Sequence, residues 1–338
     1  MDARKRSLLK GTAALLAGGA NLSLALPALA QQGAADTFPS RPITMVIGGT
    51  PGSGSDTMGR LVAESMGKDL GQPFVMDYKA GAGGQVAAAA VARAAPDGYT
   101  VLLSTTGPLF YTPHMTSKLP YDARRDFTYL SQITDGGLIL LAGKDVPATN
   151  INELVAWIRQ QGKGKVHYGS YGVGTVSHLL SSYLSDARDL GMSHVAYRGE
   201  APFIQDLLAG QIPLGIGSIW TATPHIASGK LRGIAVFTGA RHPGLPNVPT
   251  MVESGYTEPE LKVVAGLFLV GPANMPASVV ARIEAAARKA MNTSPLHERF
   301  VELGTTPVGG TAGEARALVD TSQAKLARLV QISGARLD

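Results

Sequence analysis

The sequence predicts an α/β protein made of two units, each built around a parallel sheet. Three observations support this fold class. The chain has 338 residues, more than a single domain usually contains. Short apolar runs alternate with helical patterns in two separate parts of the chain, which is typical of βαβ units. Three of the strand-to-helix junctions are rich in glycine, as in sheets that bind ligands at their edge.

The first thirty residues are predicted to be a bacterial signal peptide rather than part of the fold. A basic start precedes an apolar run over residues 8–26, and Ala28 and Ala30 supply the small residues of a cleavage site. Residues 5–11 also resemble a twin-arginine signal with lysine as its first basic residue. The mature protein is therefore expected to begin near Gln31 and to be periplasmic.

Composition excludes several classes of function. The chain has no cysteine, which excludes disulfides, thiolate metal sites and cysteine nucleophiles. Its formal net charge is +5, from 30 basic and 25 acidic residues. Four of those basic residues and one acid fall in the leader, which leaves 26 and 24 and a net charge of about +2. The charge balance therefore gives no support for nucleic-acid binding.

The first unit begins after a polar lead-in. The run "ITMVI" is continuously apolar, as a buried parallel strand is, and the helical pattern that follows it ends at Gly71. The predicted elements are a strand at 43–47, a helix at 55–70, a strand at 73–78, a helix at 86–95 and a strand at 99–105.

The second unit begins with a helix for which Asn150 is the predicted cap, with Glu153 three residues later. Gly210 ends a later helix of the same unit. The predicted elements are helices at 151–162, 174–186, 201–210 and 223–229 and strands at 165–170, 194–197, 212–218 and 231–237, followed by a tail with a strand at 263–271 and helices at 277–292, 295–303 and 312–330.

The tail is expected to return to the first unit. Two stretches, 127–143 and 260–272, are long enough to cross between the units. Residues 31–137 and 256–338 are therefore predicted to form a discontinuous domain 1, and residues 138–255 to form domain 2.

The first glycine-rich junction, "GGTPGSGSDT", does not match a nucleotide-binding loop. A P-loop has Lys and then Ser or Thr after its last glycine, but Ser55 and Asp56 follow Gly54 here. A dinucleotide loop has a third glycine where Thr57 stands. Two interpretations stay open. The free N–H groups of the helix start bind a small anion such as a carboxylate, or Ser53 or Ser55 only caps the helix.

Two further junctions, "GAGG" at residues 81–84 and "GSYGVG" at residues 169–174, have the same composition. Ligands of open α/β sheets bind beyond the carboxyl ends of the strands, where these junctions lie. Because two junctions belong to the first unit and one to the second, they predict a cleft between two lobes. At the same edge, Ser104 and Thr105 are either donors to a ligand or local caps of the strand end.

An enzyme is a weaker alternative. A secreted serine hydrolase would use Ser170 as nucleophile and His178 as base, but no acid is evidently placed to orient the histidine. His178 is otherwise a helix residue that bonds to the loop backbone. The seven histidines show neither H-x-x-x-H nor H-E-x-x-H, so neither a catalytic metal nor a cofactor is expected.

Motifs along nearly the whole mature chain then match one family. They are "FPSRPITMVI", "PGSGSD", "GAGG", "APDGYTVLLS", "LPYDARRDF", "YGSYGVGTVSHL", "HVAYRGEAPFIQDLLAGQI", "PHIASGKLRGIAV", "LPNVPTMVESGY" and "GLFLVGPANMPASVVARI". The chain thereby resembles the Bug-type extracytoplasmic solute receptors, the substrate-binding proteins of tripartite tricarboxylate transporters. This resemblance implies a two-lobed periplasmic binding fold of type II that closes on a small carboxylate.

The resemblance also implies partners and contacts. The partners are a small carboxylate and the integral membrane subunits of the transporter, with the receptor a monomer; a membrane sensor is the alternative destination. Asp56 is expected to brace its own loop rather than touch the anion. The predicted ligand-binding residues are Ser53, Gly54, Ser55, Asp56, Ala82, Gly83, Gly84, Ser104, Thr105, Ser170, Gly172, Gly174, Thr175, His178 and Ser218.

The chain departs from the family pattern at the expected pocket walls. Gly215, Gly217 and Ser218 stand where the family usually has acidic and bulky residues. The grip on one carboxylate is therefore expected to carry over better than the identity of the ligand's other end. An aliphatic dicarboxylate, a tricarboxylate, an amino acid and an aromatic acid all stay open.

Overall fold

The computed structural model describes residues 38–337, so the predicted signal peptide and export route lie outside the described residues. The strands are β1 (Ile43–Ile47), β2 (Phe74–Tyr78), β3 (Thr100–Thr105), β4 (Phe127–Gly136), β5 (Leu138–Gly143), β6 (His167–Ser170), β7 (Ser193–Ala196), β8 (Leu214–Ser218), β9 (Leu231–Val236), β10 (Gly266–Pro272) and β11 (Thr305–Pro307). The α-helices are α1 (Gly54–Leu70), α2 (Gln85–Ala92), α3 (Ile151–Gln161), α4 (Val176–Ala187), α5 (Glu200–Leu208), α6 (Ile219–Ala227), α7 (Ala277–Asn292), α8 (Leu296–Glu302) and α9 (Ala312–Ser333).

Helix α1 begins and ends where the local sequence indicates. The Ser53 side chain accepts the N–H of Asp56 and caps the first turn. At the other end Gly71 adopts φ 74°, a left-handed conformation that suits glycine, and its N–H bonds to the Gly67 carbonyl. The helix therefore starts directly at the glycine-rich junction.

The first sheet has six strands in the order β11-β4-β10-β3-β1-β2. Strand β1 runs parallel to β2 and β3, whereas β10 runs antiparallel to β3 and β4. The second sheet has five strands in the order β7-β6-β8-β5-β9. There β6 is parallel to β7 and β8, and β5 is antiparallel to β8 and β9.

The parallel pairing predicted for the βαβ units is present, but β5, β10 and β11 run antiparallel to their neighbours. The chain leaves β4 at the edge where the parallel strands end, and it enters the second sheet at the matching edge, with Leu138 opposite Ser218. It returns in the same way, with Leu267 opposite Thr105. A strand that enters a sheet at the carboxyl edge of its neighbours must run against them, which makes both sheets mixed.

Three buried clusters organise the interior. One lies beneath α1 and α7 on the first sheet and includes Met66 and Phe300, and a second lies in the second sheet around Phe203. The largest spans both sheets, from Phe268 in β10 to Tyr168 in β6. Helix α9 contacts both β4 and α4, so it packs across the two sheets on the side of this shared cluster.

The first sheet takes its strands from residues 43–136 and 266–307, and the second takes its strands from residues 138–236. The exact domain boundaries at 137/138 and 255/256 stay a prediction. Within residues 38–337, no helix combines the length and the apolar character that a membrane span requires.

Candidate functional site

The glycine-rich loops of each unit contact residues of the other unit. On the first-unit side, a Cβ built on Gly54 would lie 3.8 Å from the ring of Trp220, which belongs to α6 of the second unit. On the second-unit side, a Cβ built on Gly174 would lie 2.4 Å from the sulfur of Met115. The loops that precede α1 and α4 therefore both line the gap between the units, as the predicted cleft requires.

The loops of the first unit pack against one another through bare backbone. A Cβ on Gly48 would approach the Cα of Gly84 at 2.9 Å, and one on Gly84 would approach Pro108 at the same distance. Between them Ala82 and Gly83 adopt left-handed backbone, with φ 45° and 63°. Side chains would separate these loops, so glycine is needed here to bring their backbones together.

Asp56 holds the first loop rather than facing the cleft. Its carboxylate accepts the Gly52 N–H at 2.7 Å, the Tyr78 hydroxyl at 2.7 Å and the Arg60 Nε–H at 2.9 Å. The side chain is buried. Burial alone would raise the pKa of Asp56, but these hydrogen bonds and the Arg60 charge bring it below its ordinary value. Because the carboxylate already accepts three hydrogen bonds, the structure favours the interpretation that Asp56 braces its own loop.

The hydroxyl side chains at the carboxyl edge of the first sheet differ in their contacts and exposure. Ser53 and Ser55 are half-buried and their Oγ atoms lie 3.2 Å apart beside the free N–H groups of the α1 start. Ser104 is buried and donates its hydroxyl to the Thr105 carbonyl at 2.8 Å, so it serves as a local cap. The Thr105 side chain is exposed at the strand end.

The loop of the second unit is held by a small hydrogen-bond network. Thr175 caps α4 and its hydroxyl donates to the Gly172 carbonyl at 2.7 Å. The ring nitrogen Nδ1 of His178 accepts the Gly174 N–H at 3.2 Å. Ser170 is fully buried, and its hydroxyl donates to the Gly172 carbonyl at 3.1 Å.

The hydrolase pairing of Ser170 with His178 is wrong. The Ser170 Oγ bonds instead to Nε2 of His194 at 2.7 Å, because parallel pairing of β6 with β7 sets Ser170 opposite Ala196 and brings His194 alongside. His194 has no hydrogen-bonded carboxylate among residues 38–337. A nucleophile that is fully buried and a histidine without an orienting acid do not favour catalysis.

The two histidines stack in the second unit. The rings of His178 and His194 have centroids 3.9 Å apart, and Tyr168 stacks on His194 at 5.1 Å. Burial, and after it the charge of the neighbouring His194, lower the pKa of His178 to about 4. Burial also lowers the pKa of His194. Both rings are therefore neutral at neutral pH, which suits a stack that supports the Ser170 loop.

Sequence reasoning missed Glu200, the first residue of α5. Its Oε1 accepts the Ser218 N–H at 2.5 Å and its Oε2 accepts the Ser218 hydroxyl at 3.0 Å. Ser218 itself caps α6. A Cβ on Gly217 would lie 3.2 Å from the same Oε1, so the glycine leaves room for the carboxylate. No local pattern indicates this contact, because the two residues meet only through the packing of α5 on β8.

Two open grooves lie away from these loops. One, of about 450 Å³, runs between α1 and β2 beside Arg60 and Phe74. The other, of about 570 Å³, lies between residues 113–117 and the end of α9. Among residues 38–337, no group of three or more His, Asp or Glu side chains is placed to hold a metal ion.

Comparison with known proteins decides which family this architecture represents. The model of the TctC family, described as the tripartite tricarboxylate transporter family receptor, matches residues 58–335. The chain belongs to this family. A UPF0065 protein of Bordetella bronchiseptica is 32% identical over 97% of this chain and 95% of its own length. Protein BugT of Bordetella pertussis is 30% identical over 93% of this chain and 96% of its own length.

Solved structures of TctC and Bug proteins share the fold. Periplasmic binding protein BugD has a TM-score of 0.76 and 31% identity, over 88% of this chain and 99% of BugD. Rpa4515 of R. palustris with adipate has a TM-score of 0.80 and 27% identity, over 89% of this chain and 100% of Rpa4515. MatC of Rhodopseudomonas palustris with bound malate has a TM-score of 0.74 and 30% identity, over 88% of this chain and 100% of MatC. The Bug-type resemblance and the two-lobed type II fold are thus confirmed, and the chain is a periplasmic solute-binding protein.

Proposed function

We propose that this TctC receptor captures a small carboxylate between its two lobes and delivers it to the integral membrane subunits of a tripartite tricarboxylate transporter. The observation that carries the proposal is a pair of helix N-termini that open on the cleft, α1 capped by Ser53 and α4 capped by Thr175. Free N–H groups and the partial positive charge of a helix start favour an anion. The grip therefore needs no basic side chain.

Two relatives support a carboxylate as the ligand, since Rpa4515 is described with adipate and MatC with malate. Within this chain we assign two kinds of role to the predicted site residues. Those proposed to face the ligand are Ser53, Gly54, Ser55, Ala82, Gly83, Gly84, Thr105, Gly172, Gly174 and Thr175. Those proposed to hold the loops in place are Asp56, Ser104, Ser170, His178 and Ser218.

Capture is proposed to proceed by closure of the cleft. The chain crosses between the sheets at Gly137 and again through residues 237–265, so two backbone segments connect the lobes. A ligand that contacts both helix starts binds the closed arrangement better than the open one and shifts the population toward closure. Trp220 lies against Gly54 across the cleft, where closure would change its surroundings.

The grip is tested by adding a side chain at its centre. Gly54→Val places methyl groups in the space between α1 and the Trp220 ring, and Gly313→Val adds the same side chain near the start of α9 as the matched control. A thermal-shift screen with malate, succinate, glutarate and adipate identifies a ligand, and calorimetry measures its affinity. We expect Gly54→Val to lose about tenfold or more in affinity, ~1.4 kcal/mol, while Gly313→Val binds as the wild type does. Equal affinity in the two variants would overturn the grip.

Delivery is tested in cells. Deleting either the receptor or the transporter's membrane subunits should abolish uptake of the labelled ligand to the same extent. Normal uptake with loss of ligand-dependent gene expression would assign the receptor to a membrane sensor instead. The expected monomer is checked by light scattering with and without ligand.

A further inference from the structure

Two acidic side chains border the cleft where the chain crosses between the sheets. Asp135 lies near the carboxyl end of β4, opposite Gly266 of β10, and its side chain is exposed. Glu200 is half-buried at the start of α5 and bonds to Ser218, which pairs with Leu138 of β5. Because Asp135 and Leu138 are three residues apart, both carboxylates lie near the point where the chain passes from one sheet to the other.

Tyr111 and Tyr171 lie near these two carboxylates. Burial raises the pKa of Tyr171, and the charge of Glu200 and the nearby Tyr111 add to the rise. Burial likewise raises the pKa of Tyr111, and the charge of Asp135 adds to it. Tyr111 donates its hydroxyl to the Val264 carbonyl at 2.8 Å, beside the strand opposite Asp135. The two phenols therefore lie within electrostatic reach of the two carboxylates.

Neither carboxylate has a basic partner in the described part of the chain. Among residues 38–337, no Lys, Arg or His nitrogen lies within 4.0 Å of either group, whereas the buried Asp56 pairs with Arg60 at 2.9 Å. Burial raises the pKa of Asp135 to about 6, which leaves the carboxylate ionised at neutral pH, and its side chain reaches solvent. A negative charge here is thus available to a ligand.

We propose that Asp135 and Glu200 bind a cationic group on the ligand, so that the receptor prefers a zwitterionic carboxylate, such as an ω-amino acid, to a dicarboxylate of the same length. This inference rests on the proposed function, in which the helix starts grip the ligand's first carboxylate. An ammonium at the other end would be attracted by two carboxylates that lack a basic partner, one from each lobe, and would also promote closure. A second carboxylate there would be repelled by both.

The experiment uses ligand pairs that differ only in the terminal group. Calorimetry of the mature protein compares 4-aminobutyrate with glutarate and 5-aminopentanoate with adipate. We expect the amino acid of the better pair to bind about tenfold tighter than its diacid, ~1.4 kcal/mol. Glu200→Gln should reduce this ratio to about unity, whereas Glu64→Gln removes a charge from the exposed face of α1 and should leave the ratio unchanged.

Asp135→Asn removes the carboxylate of the other lobe and leaves the bonds to Ser218 in place, and it should also reduce the preference for the amino acid over the diacid. This variant tests the inference if Glu200→Gln does not fold. Tighter binding of the diacids by the wild type, or a ratio that neither variant changes, would overturn this inference and leave the carboxylate receptor standing. Failure of every monocarboxylate, diacid and amino acid to bind would instead overturn the proposed function itself.

Discussion

Acidification is expected to destabilise the receptor through the buried ring of His178. This side chain is 6% exposed and stacks on His194 in the second unit, with its Nδ1 accepting the Gly174 N–H. Burial holds its pKa at about 4 in the folded chain, against an ordinary value of 6.5 in the unfolded chain. Between these values the unfolded chain binds a proton that the folded chain does not.

Proton linkage gives the direction and the size of the change in the free energy of unfolding. A histidine whose pKa is lowered by folding contributes stability above pH 6.5, and this contribution is lost as the pH falls toward 4. A shift from 6.5 to about 4 corresponds to a loss of about 2 kcal/mol between pH 7 and pH 5, and of about 3 kcal/mol once pH 4 is reached. That is a large part of the stability of an ordinary domain.

Urea denaturation at pH 7 and pH 5 measures this loss. Because the half-buried His194 and the buried His242 also titrate, the informative quantity is the difference between variants. His178→Gln keeps an acceptor for the Gly174 N–H but has no charge to gain, so its free energy of unfolding should fall by about 2 kcal/mol less than that of the wild type. His167→Gln, at an exposed position of β6, is the matched control. The same fall in wild type and His178→Gln would refute the reasoning.

Two further predictions concern the first loop and the cleft. Asp56→Asn leaves Arg60 without its buried partner, so urea denaturation should show a loss of about 1–3 kcal/mol, accompanied by weaker carboxylate binding; unchanged values for both would contradict the bracing role. Trp220 should change its fluorescence when ligand closes the cleft on Gly54, and the change should survive Trp157→Phe, because Trp157 lies on α3 away from the cleft. A ligand response that instead disappears with Trp157→Phe would argue against closure at Trp220.

The parts of the fold that sequence predicts well are governed by local chemistry. Ser53 and Gly71 mark the ends of α1 because a cap and a left-handed glycine act within one turn of the helix. The glycine-rich junctions are equally legible, since their backbone conformation and close approach depend on the absence of a Cβ. Hence the loops that form the proposed grip could be located without knowledge of the fold.

The direction of β5 and β10 could not be predicted in this way. Their residues are apolar in either orientation, and the orientation depends on the edge at which the chain enters each sheet. The partner of Ser170 was missed for a related reason. His194 is 24 residues away and reaches the Ser170 hydroxyl only because β7 pairs beside β6. The short spacing of Ser170 and His178 along the chain indicated that these two side chains bond to each other. In the sheet, the pairing of β6 with β7 brings His194 to Ser170 instead.

The same distinction separates the two ends of the proposed ligand. Its first carboxylate is met by N–H groups and hydroxyl caps, which any chain with these junctions would present, so relatives with different ligands can share that grip. The sequence placed small residues at the opposite wall, where the family usually has acidic and bulky ones. In the structure, the acidic side chain at that wall is Glu200, which is distant in sequence. Gly217 leaves room for its carboxylate, and Ser218 donates hydrogen bonds to it. Asp135 adds a second negative charge from the other lobe. If the proposal holds, selectivity for the ligand's far end depends on how the two lobes meet.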